Sequence, residues 1–187
     1  MKRQLIVAIG LSGILTACAG VVVQDEPAPR GAYYEGEFDY ATKKGAIHTI
    51  VAGNPFGGSD EEFGTLVRGL MYEQNRDLPA EFVASPNVRT SPPYKVVVAF
   101  NKARSISPDE MCADPGGLPT VPGSRELRID IAFCHGDRSK SDTSGYAHDV
   151  SGTTHPNFVS LVQQATFTML PQSGETDREN QSENRTP

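Results

Sequence analysis

Two groups of residues have types and spacing that chemistry could use. The first lies in AIHTIVAGNPFGGSDEEF, residues 46–63, where an alternating apolar run ends in a glycine-rich loop that opens onto a helical pattern. Gly53 and Gly58 have four residues between them, as in the first half of a loop that cradles nucleotide phosphates with backbone N–H groups. The lysine that such a loop needs for the β- and γ-phosphates is missing, and Ser59 stands in its place. Asp60, Glu61 and Glu62 then load the helix start with carboxylates where a phosphate would have to sit. Those residues suit an ordinary helix N-terminus, so no nucleotide is expected and the glycines read as a turn.

The second group is histidine. His135, His148 and His155 fall within 21 residues, in the company of Asp137, Asp142 and Asp149. Imidazole and carboxylate are zinc ligands, and a flexible loop would be able to gather them. The spacing matches no metal-binding pair on a helix, and His155 has a plain role before Pro156 at a helix cap. Solvated loop residues are therefore the first reading. A metal centre built from His135, His148, His155 and Asp137, serving a periplasmic metal-dependent hydrolase, is the second. No G-x-S-x-G occurs in the mature chain, so no nucleophile elbow can be drawn. Tyr33, Tyr34, Phe38 and Tyr40 suggest a sugar- or peptide-binding strip, but core packing by alternation explains them more simply. No cofactor is expected.

The strongest pattern is at the start. MKRQLIVAIGLSGILTACAG has a basic pair, Lys2-Arg3, then an uncharged apolar run from Leu5 to Leu15. That run is too short to cross a ~30 Å hydrocarbon layer, and it reads as a secretory signal. It ends on Leu15-Thr16-Ala17-Cys18, which resembles the lipobox of bacterial lipoproteins. The resemblance covers residues 1–20 only. It implies cleavage before Cys18, a diacylglycerol thioether on that sulfur and acylation of the new amino group. Two or three acyl chains anchor stably where one, at about 0.8 kcal/mol per buried CH₂, holds marginally. Ala19 after the cysteine implies the outer membrane rather than the inner one.

Composition agrees with export. From Cys18 onward the chain has 170 residues, with 15 basic against 23 acidic side chains. No run of Lys or Arg exceeds two, so nucleic acid is excluded as a partner. The expected contacts are a membrane, through the lipid anchor, and a protein partner in the envelope. With Cys18 assigned, Cys112 and Cys134 remain, an even pair in an oxidising compartment. Their bridge would close a ring worth about 3 kcal/mol in the chain-entropy account.

The elements that must position these residues follow from periodicity. Residues 1–17 are the signal, 18–32 a proline-stiffened tether, 33–170 one domain and 171–187 a disordered polar tail. Within the domain, residues 34–52 suggest a β-hairpin turning at Lys43-Lys44-Gly45. Phe63, Leu66, Val67, Leu70 and Met71 form a helical stripe, started by Ser59 with Glu62 and ending near Asn75 to Asp77. Phe82-Val83 is a short extended piece, and Val96 to Ala99 a buried central strand. In RELRIDIAFC, Leu127, Ile129, Ile131 and Phe133 share one face while Arg128 and Asp130 share the other. Residues 136–154 read as a long surface loop, and a second helix starts at Pro156 and stops before Pro171. The sum is an α+β two-layer sandwich: hairpin, helix, strand, strand, helix, with both helices on one face of a mostly antiparallel sheet. The function expected of it is a non-enzymatic binding or assembly module, lipid-anchored in the outer membrane and facing the periplasm.

Overall fold

A computed structural model describes residues 20–25, 36–72, 80–121 and 126–169. The elements are β1 (Val21–Asp25), α1 (Gly36–Thr42), β2 (Ala46–Ala52), α2 (Asp60–Tyr72), β3 (Glu81–Val83), β4 (Tyr94–Phe100), α3 (Pro108–Ala113), β5 (Glu126–His135), β6 (Arg138–His148) and α4 (Pro156–Met169). The fold is α+β, as the periodicity requires. Six strands form one open sheet in the order β1-β6-β5-β4-β2-β3. The pairings β1–β6, β6–β5 and β5–β4 are antiparallel, whereas β4–β2 and β2–β3 are parallel.

The helical stripes and the central strand fall where the sequence puts them, except that Leu66 of the first stripe is exposed. Helix α2 buries Phe63, Val67 and Met71, and α4 buries Phe158, Leu161, Val162, Ala165 and Met169. Apart from Ala165, each such side chain contributes about 1.5–3 kcal/mol on burial. Both helices cover the same sheet face, over Val96, Val98, Phe100, Ile129 and Ile131. The expected end of α2 at residues 75–77 and the tail from 171 lie outside the described residues, as do Tyr33 and Tyr34.

Three expectations are corrected. The segment before Lys43-Lys44 is a helix, α1, not a hairpin strand. Phe38 is buried against Phe133, with ring centroids 5.2 Å apart, while Tyr40 is exposed, a division that strand parity does not give. Helices separate positions i and i+2 around the axis, whereas strands align them. Part of the expected tether is structured too: Val21–Asp25 runs as an edge strand along β6.

The third correction is the largest. Residues 138–148, expected in a loop, form β6, joined to β5 by a tight turn with Gly136 at φ 60°. Ser141, Thr143, Gly145 and Ala147 pair with Phe133, Ile131, Ile129 and Leu127 and lie buried beneath α4. The strand is polar because helix and sheet approach closely here. A Cβ on Gly145 would come within 2.9 Å of Leu161 Cδ1. Ser141 Oγ donates to the carbonyl of Met169 at 2.8 Å, so a hydroxyl is satisfied inside the interface.

Helix α3 lies on the opposite face of the sheet. Ser107 caps it: its Oγ accepts from the Glu110 N–H, and the Glu110 carboxylate accepts from the Ser107 N–H at 2.7 Å. The Ser107 N–H and hydroxyl, both donating to that carboxylate, hold it below its ordinary range. Met111 and Cys112 point from this helix onto Val97, Ala99, Ala132 and Cys134.

Candidate functional site: a crevice at the sheet end

β2 and β4 run parallel, and Ala52 pairs with Ala99 where both strands finish. In open sheets with parallel strands, the carboxyl ends are where loops diverge and leave a crevice. Here the crevice has a volume of about 340 Å³ and is lined by Gly53, Asn54, Pro55, Phe100, Asn101, Thr120 and Val121. The glycine-rich loop is therefore one wall of it.

Local backbone chemistry builds this wall. Gly53 sits at φ 77°, and a Cβ there would fall 2.7 Å from the carbonyl oxygen of Phe100. Any other residue would push the strand ends apart. Asn54 folds the loop back on itself: its Oδ1 accepts from the Phe56 N–H at 3.1 Å, and its Nδ2 donates to the Gly57 carbonyl at 3.0 Å. Ser59 Oγ accepts from the Glu62 N–H at 3.3 Å, the capping contact that starts α2.

Asn101 forms the opposite wall in a left-handed conformation, φ 50°. Its Oδ1 accepts from the Arg128 N–H at 2.9 Å, and its carbonyl accepts from the Val121 N–H at 2.7 Å. These bonds hold a backbone shape that asparagine tolerates better than most residues. None of the seven lining residues has a titratable side chain. Their chemistry is hydrogen bonding by amide, hydroxyl and main chain, beside the apolar faces of Pro55, Phe100 and Val121. That equips the crevice to hold a polar, uncharged group.

The residues singled out in the sequence divide clearly. Cys112 and Cys134 form a disulfide, with Cα atoms 5.7 Å apart, and both are fully buried between α3 and β5. Cys18 lies outside the described residues. The histidine reading is corrected by the β5–β6 hairpin. His135 ends β5 opposite Arg138, while His148 ends β6 opposite Glu126. The ten-residue length of β5 lies between them, about 30 Å at roughly 3.3 Å per residue. Asp137 stays with His135 at the turn. His155 precedes α4, where its Nδ1 accepts from the Asn157 N–H at 3.2 Å. The three imidazoles therefore cannot share an ion, and no three metal-ligating side chains converge among the described residues.

His135 instead packs on Tyr94, ring centroids 4.7 Å apart, at the other end of the sheet. There Tyr94 O–H donates to Glu37 at 3.4 Å, and Lys140 pairs with the same carboxylate at 3.3 Å. Burial, then the Glu37 charge, pushes the Tyr94 phenol above its ordinary value.

One polar cluster escaped the sequence. Asp130 accepts a two-pronged contact from Arg128 at 2.8 and 2.9 Å, a bond from Ser144 Oγ at 2.9 Å and the Lys102 ammonium at 3.4 Å. The Lys102 side chain is only 4% exposed, and its Nζ also donates to the Ile106 carbonyl at 2.7 Å. Alternation puts Arg128 and Asp130 opposite the apolar face, which is correct. Nothing in their spacing shows that the loop after β4 folds over them.

No family model matches the chain, and no curated protein matches it. Among solved structures it is similar to the PelC dodecamer from Paraburkholderia phytofirmans, with 11% identity over 81% of this chain and 99% of that chain, at a TM-score of 0.42. A single-substitution form of the same dodecamer gives 10% identity over 82% and 98%, also at 0.42.

Proposed function

We propose that this chain is a lipid-anchored protein of the bacterial envelope, a binding or assembly module held at the outer membrane on its periplasmic side through Cys18. The observation that carries the reading is the Cys112–Cys134 bridge, buried in the second core cluster. Such a bond persists in oxidising compartments and is rare where thiols are kept reduced. It is the partner expected of a signal sequence that ends on a cysteine. The crevice supports a binding role, because its walls supply hydrogen bonds and apolar contact.

Replacing Cys18 with Ser tests the anchor. The wild-type chain should fractionate with outer membranes and carry acyl chains on its first residue by mass spectrometry. Cys18→Ser should accumulate as uncleaved precursor or as non-acylated protein. Wild-type protein found soluble, with an N-terminus other than acylated Cys18, would overturn the reading.

A further inference from the structure

The anchor and the crevice lie at the same end of the sheet. β1 runs antiparallel to β6, so its first residue, Val21, sits beside Ala147, and the Gly20 carbonyl accepts from the His148 N–H at 3.1 Å. His148 in turn lies opposite Glu126, the start of β5, which pairs with the finishing end of β4. The carboxyl ends of β2 and β4, the amino ends of β1 and β5, the first turn of α2 and the start of α4 all gather there.

We infer that this end of the domain faces the bilayer, with the crevice directed at the headgroup layer; the inference rests on the proposed acylation of Cys18. Its basis is chain length. Cys18 precedes Gly20 by two residues, so their Cα atoms are at most about 7 Å apart. Because β1 belongs to the sheet, no long tether separates the lipid from the folded body. The opposite end, where β4 starts, is about 20 Å away along the seven-residue strand. Charge does not supply this orientation. Asp60, Glu61, Glu62, Glu126 and Asp149 lie at the anchored end, with Arg104 paired to Glu126 at 3.3 Å. The partner surface is accordingly a zwitterionic one, and the short linkage sets the pose.

The chain contains no tryptophan, so a single indole reports position without background. Val121 is 56% exposed at the crevice, and Val88 is 92% exposed in the loop near Lys44 and Glu81, at the far end. Acylated Val121→Trp and Val88→Trp proteins would be reconstituted into phosphatidylcholine vesicles with or without lipid brominated along its acyl chains. Val121→Trp emission should fall about twofold with the brominated lipid, as for an indole at a membrane interface. Val88→Trp emission should stay unchanged. Inserting twelve Gly/Ser residues between Ala19 and Gly20, a span of about 20 Å, should abolish the quenching while the protein still floats with the vesicles.

Protein that floats but is quenched equally at both positions, or at neither, overturns the orientation and leaves the anchor standing. Quenching that survives the inserted linker overturns the short linkage as what sets the pose, because the surface would then bind lipid by itself. Failure to float overturns the anchor and the orientation together.

Discussion

The two faces of the sheet are held by different physics. Under α1, α2 and α4 the strands present large apolar side chains. Phe63 and Phe100 lie 5.1 Å apart, and Phe158 lies within 6.0 Å of Phe56, Phe63 and Phe100. Under α3 the cluster is small, built from Val97, Ala99, Met111, Ala132 and the two cysteines. Beside it the buried Lys102 and Asp130, with the half-buried Arg128, occupy space that the first face would fill with carbon. A six-residue helix cannot bury enough area to hold its own layer. A covalent bond and an ionic cluster take over that task. The first face should therefore be the more sensitive to loss of volume, and the second to loss of pairing.

The sharpest test of that contrast is Phe158→Ala. The side chain is fully buried and touches three rings, so its removal leaves a cavity that α4 cannot close without losing its other contacts. The expected cost is about 4 kcal/mol, or roughly 12 °C in Tm, by thermal unfolding followed with circular dichroism. A loss near that of a surface substitution would mean that the aromatic layer is not what holds the helices.

Next comes Asp130→Asn, which preserves shape while removing the charge. Lys102 would then keep its bond to Ile106 but lose the carboxylate that pairs with it at 3.4 Å. Loss of a buried charge partner should cost about 2 kcal/mol, visible as a lower urea midpoint with an unchanged slope. The Phe158 variant should be the more damaging of the two. The reverse order would place the greater share of stability on the ionic face.

How much of this was legible follows the same division. The apolar stripes of α2, α4, β4 and β5 were readable because periodicity reports burial against a broad hydrophobic face. β6 was not. Its buried positions are Ser139, Ser141, Thr143, Gly145 and Ala147, all small, so the alternation carries little hydrophobic signal. α1 is not legible because Phe38 and Tyr40 share a parity that, over so short a stretch, fits a strand as well as a helix. The crevice is half visible: the glycines of the 53–58 loop mark a turn, but Asn101 reaches it through the pairing of β2 with β4, and Thr120 through its bridge to Lys102. The histidines misled for the converse reason. Proximity in sequence became separation in space once their segment extended as a hairpin.

The smallest expected effect probes a part of the second face beyond the reach of α3. His48 lies opposite Lys95 across the β2–β4 pairing. Burial, the largest influence, holds its imidazole below the ordinary histidine value; the Lys95 and Arg68 charges push the same way, and a hydrogen bond with the Ala84 backbone opposes them. The folded chain therefore resists the proton that the unfolded chain accepts. Above the unfolded value of about 6.5 both states are neutral and this residue's contribution is fully present. As pH falls from there towards the lower folded value, the unfolded state gains protons first and stability declines. His48→Gln should remove that component, so its Tm should fall less than wild type between about pH 7.5 and pH 5. Parallel curves for the two proteins would show that His48 is solvated enough to titrate alike in both states, and that the sheet beyond α3 is open to water.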